Sequence, residues 1–195
     1  QEVNPHGVAI RGDLRKKYNL PEIKSLDDFG AYLAAVKANE KSMLPYNAGT
    51  PDLNSLRAWM LYEKPWLSAA GDVTTPLFQE FENPSNVFIL YDTPEYQNFA
   101  NRMWDWSEKG YWSKSVFSNQ VASKDSFFSE KSASAYLGLS DFDRLYQKVM
   151  DKYPQWQPEF YPVAPNAKVG KSSYLANGMA INANSANPER AMMLL

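Results

Sequence analysis

Short apolar segments that favour extended backbone alternate with helix-patterned segments along the whole chain, and no other feature constrains the fold as much. Val8-Ala-Ile10 is such a segment, and Asp13 behind it is expected to cap a brief helix through Tyr18. Ser25 and Asp28 stand three residues apart, a capping-box variant with Asp in the usual Glu position. They open a helix whose apolar residues Leu26, Phe29, Leu33 and Val36 keep helical spacing. Met43–Tyr46 reads as a strand that runs into a loop over 47–54, and Ser55–Tyr62 as helix. Val87–Tyr91 is the clearest strand. Thr93-Pro94 then supplies an N-cap and a proline at the first helical position, with Tyr96, Phe99, Ala100 and Met103 on one stripe and Gly110 at the end. Ser132–Leu137 is a further strand. Ser140 is expected to cap a helix carrying Phe142, Leu145, Tyr146, Val149 and Met150, which Pro154 stops. Glu159–Val163 and Gly178–Ile181 are the last strands, and Asn187-Pro188 starts a terminal helix. The alternation predicts an α/β layer structure in which helices flank a largely parallel sheet.

Residues 63–86 carry no periodicity that selects helix or strand. Ala191-Met-Met-Leu-Leu195 stops inside an apolar helical run, so Gln1 and Leu195 read as cut ends of an excised piece of 195 residues. Within that length no apolar run approaches the roughly 20 residues that span a bilayer.

Composition narrows the chemistry. The sequence has no Cys and a single His, which excludes disulfides, thiolate metal sites and a Cys nucleophile. A formal charge of −2 provides no basic field for nucleic acid. Aromatic residues make up 14% of the chain, with 6 Trp and 12 Tyr, a content that suits stacking on sugar rings as well as a core.

Several motifs read more simply than they first look. Pro165-Asn-Ala-Lys-Val-Gly-Lys171-Ser172 is one residue short of a phosphate-binding loop. Pro165 replaces its first glycine and offers no N–H, so a surface loop is expected. Arg11-Gly12-Asp13 is read as a turn and helix cap, not an adhesion signal. His6 lacks a second imidazole for metal or acid–base work. The carboxylates Glu80 and Glu82, Asp92 and Glu95, and Asp141 and Asp143 fall at caps or on solvated faces. Trp104 lies near the apolar stripe and is expected in the core, with Trp106 off that stripe and Tyr111-Trp112 just beyond Gly110.

Four blocks then line up in order with one family. Gly7-Val-Ala-Ile-Arg11…Asp13-Leu14…Lys17-Tyr18 resembles the segment by which family 1 extracellular solute-binding proteins enter their second lobe. Ile23-Lys-Ser-Leu-Asp27…Phe29…Leu33 is similar to the following family helix. Thr93-Pro-Glu-Tyr96 with Trp106…Glu108-Lys-Gly-Tyr111 resembles a pattern of the carbohydrate-type lipoproteins. Gly178-Met-Ala-Ile181…Ser185-Ala-Asn-Pro-Glu-Arg-Ala191 is similar to the return crossing. The resemblance implies a single lobe over 1–195, part of a two-lobed periplasmic-binding-protein-like (type II) fold, with hinge crossings at 1–10 and 178–187. Val8–Ile10 and Met179–Ile181 are then expected as adjacent strands.

The implied function is capture of an extracellular solute, an oligosaccharide above all, for delivery to the membrane permease of an ATP-driven importer. No catalytic residue, metal or cofactor is implied. The parent protein would be extracytoplasmic and lipid-anchored, and this piece would not insert into the membrane. In open α/β sheets ligands sit beyond the carboxyl ends of strands. That rule selects Asn47, Asp52 and Asn54 after one strand and Gly138, Ser140 and Asp141 after another, with Asp52 and Ser140 expected on one sheet edge. Trp112 joins them as an aromatic face for sugar C–H surfaces. The alternatives are a stand-alone carbohydrate-binding or adhesion module, distinguished by glycan binding in isolation, and a glycoside-active enzyme fragment, distinguished by turnover.

Overall fold

In the computed structural model, residues 5–49, 55–68, 75–163 and 180–193 are described. The central sheet has the strand order β5-β1-β6, with β1 at His6–Ile10, β5 at Ser134–Gly138 and β6 at Glu159–Pro162. β1 pairs antiparallel with both neighbours, Val8 opposite Tyr136 on one side and Tyr161 on the other. A parallel bridge between Leu44 and Ser132 adds the segment around Leu44 outside β5. That segment, β5 and β6 therefore run one way, and β1 is inserted against them. The α/β class is as expected, but the largely parallel sheet is corrected: both three-stranded ladders among the described residues are antiparallel.

Because successive side chains of a strand point to opposite faces, β1 needs cover on both sides. Val8 and Ile10 pack with Phe29, Tyr32, Leu33 and Val36 of α2 (Leu26–Asn39), and Ala9 packs with Phe127, Ala135, Leu137 and Phe142 on the other face. Phe127 belongs to α5 (Ser123–Phe128) and Phe142 to α6 (Leu139–Lys152). Helices thus cover both faces of the sheet. β5 and β6 fill both edges of β1, so the described Ala180 and Ile181 of the expected Met179–Ile181 strand do not pair with it. Gly178 and Met179 lie outside the described residues, and Ala180 and Ile181 form no strand.

Two helices begin where their local sequence signals place them. Ser25 Oγ accepts from the Asp28 amide at 3.1 Å, and the Asp28 carboxylate accepts from Ser25 Oγ at 2.8 Å and from the Lys24 amide at 3.0 Å. Thr93 caps α4 (Pro94–Glu108) by accepting from the Tyr96 amide at 3.2 Å, and Gly110 closes it with φ of 69°. Two predicted caps are corrected. Asp13 lies inside α1 (Gly12–Lys17), where the Arg11 guanidinium grips its carboxylate at 2.6 and 2.8 Å. Gly138, not Ser140, occupies the N-cap of α6, whose first residue is Leu139.

The unassigned stretch after α3 (Arg57–Tyr62) holds β2 (Trp66–Ser68) and β3 (Leu77–Glu80), which join β4 (Val87–Ile89) in a second antiparallel sheet. Phe78, Met60, Leu61 and Leu90 form its core, with Trp66 edge-on to Phe88 at 4.9 Å. The expected strand Val87–Tyr91 is therefore shorter, since Leu90–Asp92 turn in a 3-10 conformation. The terminal helix α7 (Pro188–Met192) buries none of its residues.

Candidate functional site

α4 carries two indoles, Trp104 and Trp106, whose burial reverses the sequence expectation. Trp106 is the buried residue, set edge-on to Phe29 and Trp112 and against Tyr111. Trp104 is 70% exposed. The reason is packing: Gly30 of α2 leaves the space that the Trp106 ring fills, so α4 turns that side inward. The stripe of Phe99, Ala100 and Met103 is only partly covered, Phe99 and Met103 packing against the core. It forms one side of an open groove of about 400 Å³.

Trp104 and Ser107 continue that side. Trp112, Val116 and Phe117, from the segment after Gly110, line the groove too, together with Tyr46, Ala48 and Leu56. Tyr46 and Trp112 meet edge-on at 6.5 Å, which holds the half-buried Trp112 ring in place. Phe117 is 79% exposed, so with Trp104 it gives the groove two aromatic surfaces open to solvent. A hollow of this size, mostly apolar and aromatic, falls within the range of small-molecule sites. Its Tyr46–Ala48 side lies beyond the carboxyl end of the segment that bridges β5.

The loops around the groove are latched by polar groups. Asn119 Nδ2 donates to the Ala48 carbonyl at 3.1 Å, and a Cβ on Gly49 would stand 2.2 Å from the Val121 carbonyl oxygen. Asn47 Nδ2 donates to Ser126 Oγ of α5 at 2.9 Å. α5 also reaches the second predicted loop, where Lys124 Nζ meets the Asp141 carboxylate at 3.1 Å. Arg144 joins Asp141 at 2.6 Å, and the Lys124 hydrogen bond, ahead of the charges of both partners, holds this carboxyl below its usual range.

Of the predicted site residues, the structure places Trp112 in the groove and Asn47 one residue from Ala48, which lines it. Gly138, Ser140 and Asp141 sit together at the start of α6, joined to α5 and outside the groove lining. Asp52 and Asn54 lie outside the described residues, as does the stretch Pro165–Ser172. Sequence reasoning missed Tyr46, Phe99, Met103, Trp104 and Phe117 as site residues. The α4 stripe was the available signal for two of them, Phe99 and Met103, which pack on the core and line the groove.

Two other hollows are built differently. One of about 490 Å³ lies at the amino side of β5 among Lys37, Lys41, Lys131, Glu40 and Glu130. It is larger than the aromatic groove, but its walls are the stems of solvated Lys and Glu, two of them ion-paired as Lys17–Glu40 and Lys152–Glu130. The other, about 350 Å³, is crossed by the Lys64–Glu95 and Arg102–Asp27 ion pairs. Among the described residues no group of His, Asp and Glu is arranged to hold a metal ion, and no helix is long and apolar enough to cross a membrane.

No family model matches the sequence, and no curated protein does. Solved structures match the fold. The N-glycan transport solute-binding protein NgtS of Streptococcus pneumoniae, in complex with Man1GlcNAc, is 15% identical with a TM-score of 0.57. It is matched over 82% of this chain and 34% of its own. The alginate-binding protein AlgQ2 without calcium ion is 15% identical with a TM-score of 0.60, over 86% of this chain and 34% of its own. A sugar transporter from Bacillus licheniformis in complex with stachyose is also 15% identical, TM-score 0.51, over 82% and 40%. This chain spans about a third of the length of the first two. Two of the three are described as binding proteins and the third as a sugar transporter. The chain has the mixed α/β fold of one portion of the two-lobed, periplasmic-binding-protein-like solute-binding proteins.

Proposed function

We propose that this chain forms one wall of a sugar-binding cleft, as the second lobe of a solute-binding protein that hands an oligosaccharide to an ATP-driven importer. The observation that carries the reading is the aromatic groove of Trp104, Trp112 and Phe117 beside the Tyr46–Ala48 segment. Pyranose rings expose C–H faces that pack on aromatic rings, while their hydroxyls stay at the rim for planar polar groups and water. Solved proteins of the same fold that bind glycans or stachyose support the substrate class. The permease partner, an extracytoplasmic location and a lipid anchor on the parent protein follow from the same reading, as do hinge crossings at both ends of the lobe.

Within this reading Trp112 touches ligand. Asn47 shapes the loop through Ser126, and Asp52 and Asn54 are proposed as hydroxyl partners. Gly138, Ser140 and Asp141 are proposed at a second contact, reached by a longer ligand. The ligand is bound and released unchanged.

Intrinsic Trp fluorescence and melting temperature, followed against a panel of neutral and acidic oligosaccharides, test the proposal. A saturable response lost in Trp112→Ala is expected, with no turnover of chromogenic glycosides. Silence across the whole panel overturns it.

A further inference from the structure

The groove lining names a narrower ligand class, an inference that rests on the sugar-site reading above. None of the described residues that line it is Lys, Arg, His, Asp or Glu. Of the basic groups beside it, Arg102 pairs with Asp27, Lys109 pairs with Asp105 at 2.6 Å, and Lys114, between Trp112 and Val116, is exposed and outside the lining. The sequence between Gly49 and Ser55 contains no cation, only Asp52. A carboxylate brought into this groove would lose water and gain no counter-charge, which disfavours anionic sugars.

The lining also constrains stereochemistry. Phe99, Met103 and Trp104 come from α4, and Trp112, Val116 and Phe117 from the segment beyond Gly110. A ring that contacts both groups must present a C–H face to each. A pyranose with equatorial hydroxyls does so best, because an axial hydroxyl points one oxygen at a wall whose described side chains are apolar or aromatic except for Ser107. An equatorial β-(1→4) linkage then keeps successive rings in one flat ribbon with both faces apolar.

We propose that the groove selects neutral, gluco-configured, β-linked oligosaccharides over their uronate and axial-hydroxyl counterparts. Three tetramers isolate the two requirements. Cellotetraose has neither defect, the β-(1→4)-linked glucuronate tetramer adds only charge, and β-(1→4)-mannotetraose adds only the axial 2-hydroxyl. Titrations of the whole chain followed by Trp fluorescence are expected to favour cellotetraose by at least about tenfold over each of the others. Its affinity should change by less than about twofold between roughly 0.05 M and 0.5 M salt, since no charge is there to screen. The response should vanish in Trp104→Ala and in Trp112→Ala. Equal or tighter binding of the glucuronate or mannose tetramer overturns the inference, as does a cellotetraose response that survives both substitutions. A response to other sugars with none to these three also overturns it and leaves the sugar site standing. No response to any sugar overturns both.

Discussion

Gly30 and the Trp106 indole interlock across the contact of α2 with α4: a Cβ at position 30 would stand 2.8 Å from Trp106 Cζ2. The ring is nearly fully buried and its neighbours are Phe29, Tyr111 and Trp112. Truncating it should cost about 3–5 kcal/mol, the range for a large aromatic in a core. The exposed Trp104, two residues away, should cost less than about 0.5 kcal/mol when changed to Ala. Gly30→Ala gains up to about 1 kcal/mol of helix propensity yet forces a clash worth about 1–3 kcal/mol, so a net loss is expected. Urea unfolding of the three variants checks the order, and equal losses for Trp104→Ala and Trp106→Ala would reverse the assignment of the core indole.

The reversal of these two indoles shows what a sequence reading can and cannot reach. Ser25 with Asp28, and Thr93 with Pro94 and Gly110, act within a few residues, and their helices were legible for that reason. Trp106 follows Met103 by three residues and continues the Phe99–Met103 side of α4, which the helical period records, while the space that admits its ring comes from Gly30, far away in the chain. Asp13 reads as a cap until Arg11 is seen to take its carboxylate. β2 and β3 have three and four residues, too few for an alternation to stand out, and their order comes from Phe78 and its nonlocal partners. At the site, Trp112 was legible as an aromatic just past a helix-ending glycine. Tyr46 and Phe117 join it only through tertiary packing.

Glu159 sets an acid limit on the junction of α1 and β6. Burial pulls its carboxyl up, but the Arg15 and Tyr161 hydrogen bonds and the charges of Arg15 and Lys16 outweigh that, and it lies below its ordinary 4.5. The Arg15 contacts are 2.5 and 2.9 Å. A carboxyl lowered by folding contributes stability that is full above 4.5 and is lost as pH falls through the folded value. Glu159→Gln should therefore be less stable at neutral pH by about 1 kcal/mol, after allowance for partial exposure. The gap to wild type should close as pH drops below 4.5, measured by denaturant unfolding across pH. A gap that widens in acid would refute this.

Tyr32 fastens the end of β1 to the start of β5. Its fully buried hydroxyl donates to the Ala133 carbonyl at 2.9 Å and accepts from the Arg11 amide at 3.2 Å. Tyr32→Phe should cost about 1–1.5 kcal/mol, since the Arg11 amide keeps its own bond to Ala133. Burial also pushes the hydroxyl far above its ordinary value of 10.0. Spectrophotometric alkaline titration should show no phenolate from this residue until the chain unfolds, and early ionisation that Tyr32→Phe removes would contradict the buried placement.

Gly49 permits the close approach that aligns the groove. A methyl group there meets the Val121 and Asn119 carbonyl oxygens at 2.2 and 2.8 Å, and these cannot retreat without moving the segment that carries Phe117. Gly49→Ala should lower stability by about 1–3 kcal/mol and weaken the sugar response even at temperatures where the variant is fully folded. Asn119→Ala removes the bond to the Ala48 carbonyl and the one its Oδ1 accepts from the Val121 amide at 3.0 Å, but introduces no clash, and should weaken it less. Unchanged titrations in Gly49→Ala would separate the latch from the groove.

The placement of β1 between β5 and β6 has a consequence for how the chain is made. His6 waits for Gly138, and Gly7 for Pro162, so β1 emerges well before either of its partners. Pairings of such sequence separation must close long loops before they gain any stabilisation, which slows folding. Until β6 has left the ribosome, Val8 and Ile10 have an open edge that other chains can occupy. Released chains ending before Glu159 should accordingly aggregate, and those that include Val163 should not, which makes the emergence of β6 the step that commits this lobe to its native sheet.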